Sequence, residues 1–486
     1  MIMERKNAWK SYQETDRAEL EGLADRYKTF LSECKTEREC CAHSIELAEA
    51  AGYTSLEEAI RAGEALKAGD KVWIDNYGKA LMLVQIGADD IEDGVNILGA
   101  HIDSPRLDLK QNPLYETSDF VLLDTHYYGG IKNYQWVALP LALKGVVVKK
   151  DGEVVTISIG DAPDDPVFCV TDLLPHLGAD QLKKNGREVV EGESLDVLIG
   201  SEPLVVETKD DEAKKDKKPA DEMTYEEQIT EMAEAEAVRA NILTLLLEHY
   251  GIEEEDFLSA EIEVVPAGAA RDCGLDRSMV IGYGQDDRVC AYTSLEAQLV
   301  VEAPARTAVC ILVDKEEIGS VGATGMTSAF FENTMAEILA LMGVTGDLAL
   351  RRCLARSSML SSDVSAAFDP AYASVFEAKN SAYCGRGLVF NKYTGSGGKS
   401  GSNDANAEYM AALRKIMDEA GVNYQTAELG RVNAGGGGTI AYIPAKYGMN
   451  VIDSGVPVLS MHSPWEVTSK ADIYEAYKGY KAFLSA

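Results

Sequence analysis

Long apolar runs are missing from this 486-residue chain. No stretch approaches the roughly 18 apolar residues of a membrane span. The opening Met1-Ile2-Met3-Glu4-Arg5-Lys6 leads into polar helical sequence rather than an apolar leader core. The expectation is a cytoplasmic protein with no membrane partner. Basic residues are also few: 46 Lys and Arg stand against 80 Asp and Glu, a formal charge of −34. That balance repels phosphate backbones and anionic lipid, so no nucleic-acid partner is expected. The mixed run 208–222 holds lysines, but acids dilute them, and it reads as a mobile surface loop. The nine cysteines show no repeating spacing and no CxxC, which points to reduced thiols rather than a disulfide framework. There is no internal repeat. The glycine-rich Gly395–Gly401 lacks the GxxxxGK[ST] frame, so it is not read as a phosphate loop.

What is present is an ordinary globular composition, 46% hydrophobic and 26% charged, in a chain too long for one core. Apolar residues recur at helical spacing between about 10 and 68. Strand-like runs follow at Lys71–Ile74, Ala80–Val84 and Val95–Ala100. From about 107 to 260 short strands dominate, with a hairpin turn at Asp151-Gly152. An α/β pattern resumes near 261 with Glu261-Ile262-Glu263-Val264-Val265. The predicted organisation is a main α/β domain split into 1–106 and 261–486, with a β-rich domain, 107–260, inserted.

The chemistry gathers where apolar strands end. Ala308–Val313 runs into Asp314-Lys315-Glu316-Glu317. Adjacent carboxylates at the end of a buried strand are costly unless they meet metal or protons. Glu317 is therefore read as a metal ligand, and Glu316 as the group that takes a proton from activated water. His101 and Asp103, two apart after another apolar run, would share a face in extended chain. That suits an imidazole ligand and a carboxylate that orients it. Asp286, Asp363 and His462 complete the polar groups at strand ends. His43 and His249 read as helix residues without such a role. Two imidazoles and several carboxylates suit a pair of zinc-like ions. Four glycines, Gly435–Gly438, imply close backbone approach, and Gly436 and Gly437 are placed against substrate.

The stretches GAHIDSPRLDLK (99–110), QDDRV (285–289), DKEEIGS (314–320), SSD (361–363), KSGSNDAN (399–406), GGGGTIAY (435–442) and SMHS (460–463) together resemble the aspartyl aminopeptidase family of metallo-aminopeptidases in its bacterial form. The resemblance runs over nearly the whole chain. It implies a metallopeptidase α/β domain, an inserted β-rich domain used in oligomerisation, and a tetrahedral homododecamer. It implies His101, Glu317, Asp363 and His462 as terminal ligands and Asp286 as the bridging ligand of two divalent ions. Zn2+ is expected, with Co2+ or Mn2+ as alternatives. Glu316 resembles the general base and Asp103 its supporting carboxylate. His176, in Leu174-Pro175-His176-Leu177, resembles a histidine that reaches a neighbouring subunit's site.

The implied activity is removal of the N-terminal residue from peptides. Two features depart from the aspartyl type. No histidine follows the SSD motif in Val364–Asp369, and the lysine of the substrate segment corresponds to Asn391, with Lys392 next to it. Acidic and neutral first residues therefore both stay open. The reading from another class is a shell-forming protein with structural ions, against which the general base Glu316 speaks.

Overall fold

The computed structural model describes residues 6–206, 219 and 222–486; the run 208–222 thus falls almost wholly outside the described residues. The chain divides into one unit of residues 1–104 and 269–486 and a second of residues 105–268. Among the described residues no helix is long and apolar enough to cross a membrane.

The first unit is built on a nine-stranded sheet. Its centre is four parallel strands, Ala308–Val313, Asn96–His101, Ser358–Ser361 and Asn450–Gly455. Alternate residues of these strands face opposite ways. Cys310 and Leu312 pack with Leu98, Leu360 and Ile452 in one core; Val309, Ile311 and Val313 pack with Ile97, Met359 and Val451 in another. The first core is covered by helices Glu14–Glu33, Gln285–Val300 and Lys470–Leu484, the second by Phe330–Leu341 and Asp347–Arg356. Strands buried on both faces explain the unbroken apolar runs. Register decides where these strands stop. Val313 pairs with His101, Ser361 with Gly99 and with Asp453, so the four strands end together. Open α/β sheets bind ligands at such ends.

A small five-stranded sheet in the same unit orders Arg271–Cys273, Met279–Gly282, Glu466–Ser469, Pro457–Leu459 and Ser365–Ala366. It presents Asp286 just after one strand and His462 in the loop between two others.

The second unit holds a seven-stranded sheet whose described pairings are antiparallel, with helices Tyr225–Met232 and Ala237–Tyr250. The strand at 261 is real, but it belongs here. Ala260–Pro266 pairs along Leu141–Val147 and with Leu107 and Asp108. The return to the first unit therefore comes at Ala269, eight residues later than the pattern suggested, and the departure comes at Pro105 rather than 107.

Candidate metal centre and active site

The site grows from the common strand ends. After Val313 the chain turns at Lys315, whose φ of 69° is left-handed, and strand alternation stops there. The amides of Glu316 and Glu317 then donate to the two oxygens of Asp103, at 3.1 and 3.2 Å. Asp103 is fully buried and ties this turn to the end of the His101 strand. The Nδ1 of His101 lies 3.0 Å from the Asp103 carbonyl oxygen and 3.3 Å from its carboxylate. With Nδ1 donating, Nε2 keeps a lone pair for a cation.

Asp286 lies between the two imidazoles. Its Oδ1 is 3.3 Å from His101 Nε2, and its Oδ2 is 3.2 Å from His462 Nε2. Glu317 Oε1 is 3.5 Å from His462 Nε2, and Glu316 Oε2 is 3.9 Å from His101 Nε2. The ligand atoms of His101, Asp286 and Glu317 lie within 4.8 Å of one another, as do those of His101, Asp287 and Asp363. All five expected ligands are thus brought to one place.

The donor set fits divalent zinc. Ligand atoms about 2.1 Å from a tetrahedral ion stand about 3.4 Å apart. The imidazole-to-carboxylate separations match that edge. Glu317 Oε1 is buried without a hydrogen-bond partner. Buried carboxylates outnumber the imidazoles, a balance that a cation corrects.

Electrostatics say the same. Burial pushes Asp286 up, but with no cation bound the protonated imidazoles of His101 and His462 outweigh it and hold its carboxyl well below the usual range, a role the positive ion takes over when it displaces those protons. Burial pushes Glu317 well up, and the charge of Asp286 adds to it. Asp363 is raised by burial and then by Asp287 and Glu316. Burial raises Glu316 to about 7, partly offset by His101. A bound cation would favour its charged form.

Two buried acids at the site were not anticipated. Glu466 is 1% exposed. Its Oε2 accepts from the Asp286 amide at 3.0 Å and its Oε1 from the His462 amide at 2.7 Å, so one carboxylate holds both ligand-bearing segments. Burial, with Asp286 adding, raises it to about 8. Asp453, at the fourth strand end, accepts from Ser361 Oγ, and burial raises it to about 7. The strand Glu466–Ser469 is polar at three of its four positions, so its sequence carried no sign that its first residue is buried.

The substrate-side expectations divide. A cavity of about 500 Å³ is lined by Asp286, Glu316, Asp363 and His462 together with Asn391, Gly436 and Gly437. Lys392 does not line it; its ammonium pairs with Asp404. The close approach expected of the glycines is found at Gly436, where a Cβ would stand 2.4 Å from Ser396 Cα, so the neighbour is the chain itself. His176 is exposed in the second unit, beside Leu173, Leu174 and Leu177, which are 45, 49 and 70% exposed.

Residues 30–484 match the family described as aminopeptidase I zinc metalloprotease (M18). A probable M18 family aminopeptidase 1 of Clostridium acetobutylicum is 57% identical, covering 100% of this chain and 99% of its own. The crystal structure of an M18 aminopeptidase from Thermotoga maritima superposes with TM-score 0.90 at 41% identity, covering all of both chains. That of aminopeptidase I from Clostridium acetobutylicum gives 0.88 at 55%, again over both whole chains. The S. cerevisiae mApe1 dodecamer shares the fold at 18% identity, TM-score 0.72, over 95% of each chain.

Proposed function

The chain belongs to the M18 family of zinc metallopeptidases and is a metal-dependent aminopeptidase, and from that premise we propose how its residues divide the work. The observation that carries the proposal is Asp286, which offers one oxygen toward each imidazole. His101 and Asp363 would hold one ion, Glu317 and His462 the other, with Asp286 shared. When bound, such a pair supplies Lewis acidity, polarising the scissile carbonyl and lowering the pKa of water. Glu316 takes a proton from the attacking water. The water oxygen bonds to the carbonyl carbon, the C–N bond breaks, and Glu316 returns the proton to the leaving amine. Asp103 keeps Glu316 and Glu317 in place through their amides. The cavity presents Asn391 rather than a lysine, so neutral first residues are taken ahead of Asp or Glu.

The test is a panel of chromogenic aminoacyl substrates after chelation and after return of Zn2+, Co2+ or Mn2+. Chelation should abolish release of the first residue, and at least one of these ions should restore it. No release from any substrate with any ion would leave only the shell-forming reading.

The proposal extends to the assembly. A tetrahedral dodecamer, with His176 serving a neighbouring subunit's site, would cover the leucines around His176, an apolar group unusual in the open. A donor there would stabilise the oxyanion formed as water attacks, an interaction worth about 2.7–4 kcal/mol in other enzymes. Glu316→Gln subunits keep His176, and His176→Ala subunits keep the base. Co-expressed mixtures should regain part of the wild-type rate while each variant alone stays weak. Activity equal to the sum of the two residual rates would end the shared-site proposal.

A further inference from the structure

An aminopeptidase cavity must accommodate the side chain of the residue it removes. Here the lining beyond the proposed metal ligands carries hydroxyls but no basic side chain. Glu428 and Asn391 both line the cavity, and no Lys or Arg does. Glu428 is half-buried; its Oε1 accepts from the Tyr393 hydroxyl at 2.6 Å, and no basic side chain pairs with it among the described residues. Lysines close in sequence are engaged elsewhere. Lys392 and Lys399 both pair with Asp404, and the Lys399 ammonium sits 3.7 Å over the Tyr393 ring. Arg431 is exposed and outside the lining. Asn391 is only 6% exposed. Its Nδ2 donates to Ser365 Oγ, which leaves Oδ1 a buried acceptor with no partner. A buried acceptor without a donor is unfavourable until one arrives.

We infer that this wall is a subsite for a cationic N-terminal side chain, lysine or arginine, with Glu428 as its counter-charge and Asn391 Oδ1 as a second acceptor. This rests on the aminopeptidase reading above and adds cationic first residues to the neutral ones it ranked ahead of Asp and Glu. An ammonium or guanidinium supplies the counter-charge that Glu428 lacks and the donor that Asn391 Oδ1 lacks. An aspartate or glutamate side chain would meet a like charge and an acceptor, which selects against it. Leu429 and Met461 in the same lining leave room for neutral residues of similar length.

The experiment compares kcat/KM for Lys, Arg, Leu, Ala and Asp anilides, using the zinc-loaded full chain and its Glu428→Gln and Glu428→Lys variants. In the wild type, Lys and Arg should equal or exceed Leu and greatly exceed Asp. In Glu428→Gln the ratio of Lys to Leu should fall about tenfold, the scale of one charge-assisted hydrogen bond. In Glu428→Lys the ratio of Asp to Lys should rise further. Ratios cancel any change in the folded fraction, so a poorly folding variant still answers. If Leu and Ala are released but Lys and Arg are more than tenfold slower, this inference fails alone. A fall shared equally by every substrate would also overturn it, making Glu428 an anchor for the α-amine or for the loop. If no substrate of any class is released, the aminopeptidase reading fails first.

Discussion

Replacing Glu316 by glutamine should lower kcat by about 10²–10⁴ while both ions stay bound, the usual weight of general-base catalysis. The variant keeps size and polarity and removes only basicity. Glu316 is the right group to test because it stands off from the proposed ligand cluster. Its Oε2 is 3.9 Å from His101 Nε2, and its side chain is 15% exposed toward the cavity against 4% for Glu317. Its amide still has Asp103 as acceptor after the change, so the turn should hold. Metal analysis beside single-turnover kinetics would check it. Loss of metal with an unchanged rate per bound ion would exchange the roles of Glu316 and Glu317.

Asp286→Ala should be more damaging, because it removes both ions as well as the chemistry that depends on them. Each Asp286 oxygen faces a different imidazole, at 3.3 and 3.2 Å, so one truncation touches both sites. His101→Ala or His462→Ala removes one imidazole and should mainly weaken one site. Metal content after dialysis is the readout, near zero for Asp286→Ala and near one equivalent for each histidine variant. Two full equivalents in Asp286→Ala would transfer the bridging role to Asp287. That neighbour is also buried, with one oxygen accepting from the His101 amide.

Much of this site could be read from the chain because strand ends are local events. His101 ends an apolar strand; Glu317 and Asp363 follow closely on two others, and His462 follows the strand Pro457–Leu459. What could not be read is address. Glu261–Val265 has proper strand alternation, but nothing in five residues says which sheet will pair with it, and it joined Leu141–Val147 instead of the main sheet. Asn391 and Lys392 show a cheaper omission. Neighbours on an extended strand point opposite ways, so only one of them could face the cavity. Glu466 stayed hidden because a principal partner, the Asp286 amide, lies 180 residues away. Carboxylates that accept backbone amides leave no mark on the sequence around those amides.

The bond from Glu466 to two ligand segments also bears on the order of events at the ribosome. Chains emerge from the N-terminus at about 5–20 residues per second, so His101 precedes His462 by roughly 20–70 s. Throughout that interval the nascent chain has one imidazole of the pair and lacks the carboxylate that holds Asp286 and His462 together. A peptidase whose ligands came from one contiguous segment could begin cutting while still being translated. On the proposed ligand set this chain would complete its metal centre only after Glu466 has been made, which would spare the unfolded peptides crowded around it, its own sister chains included.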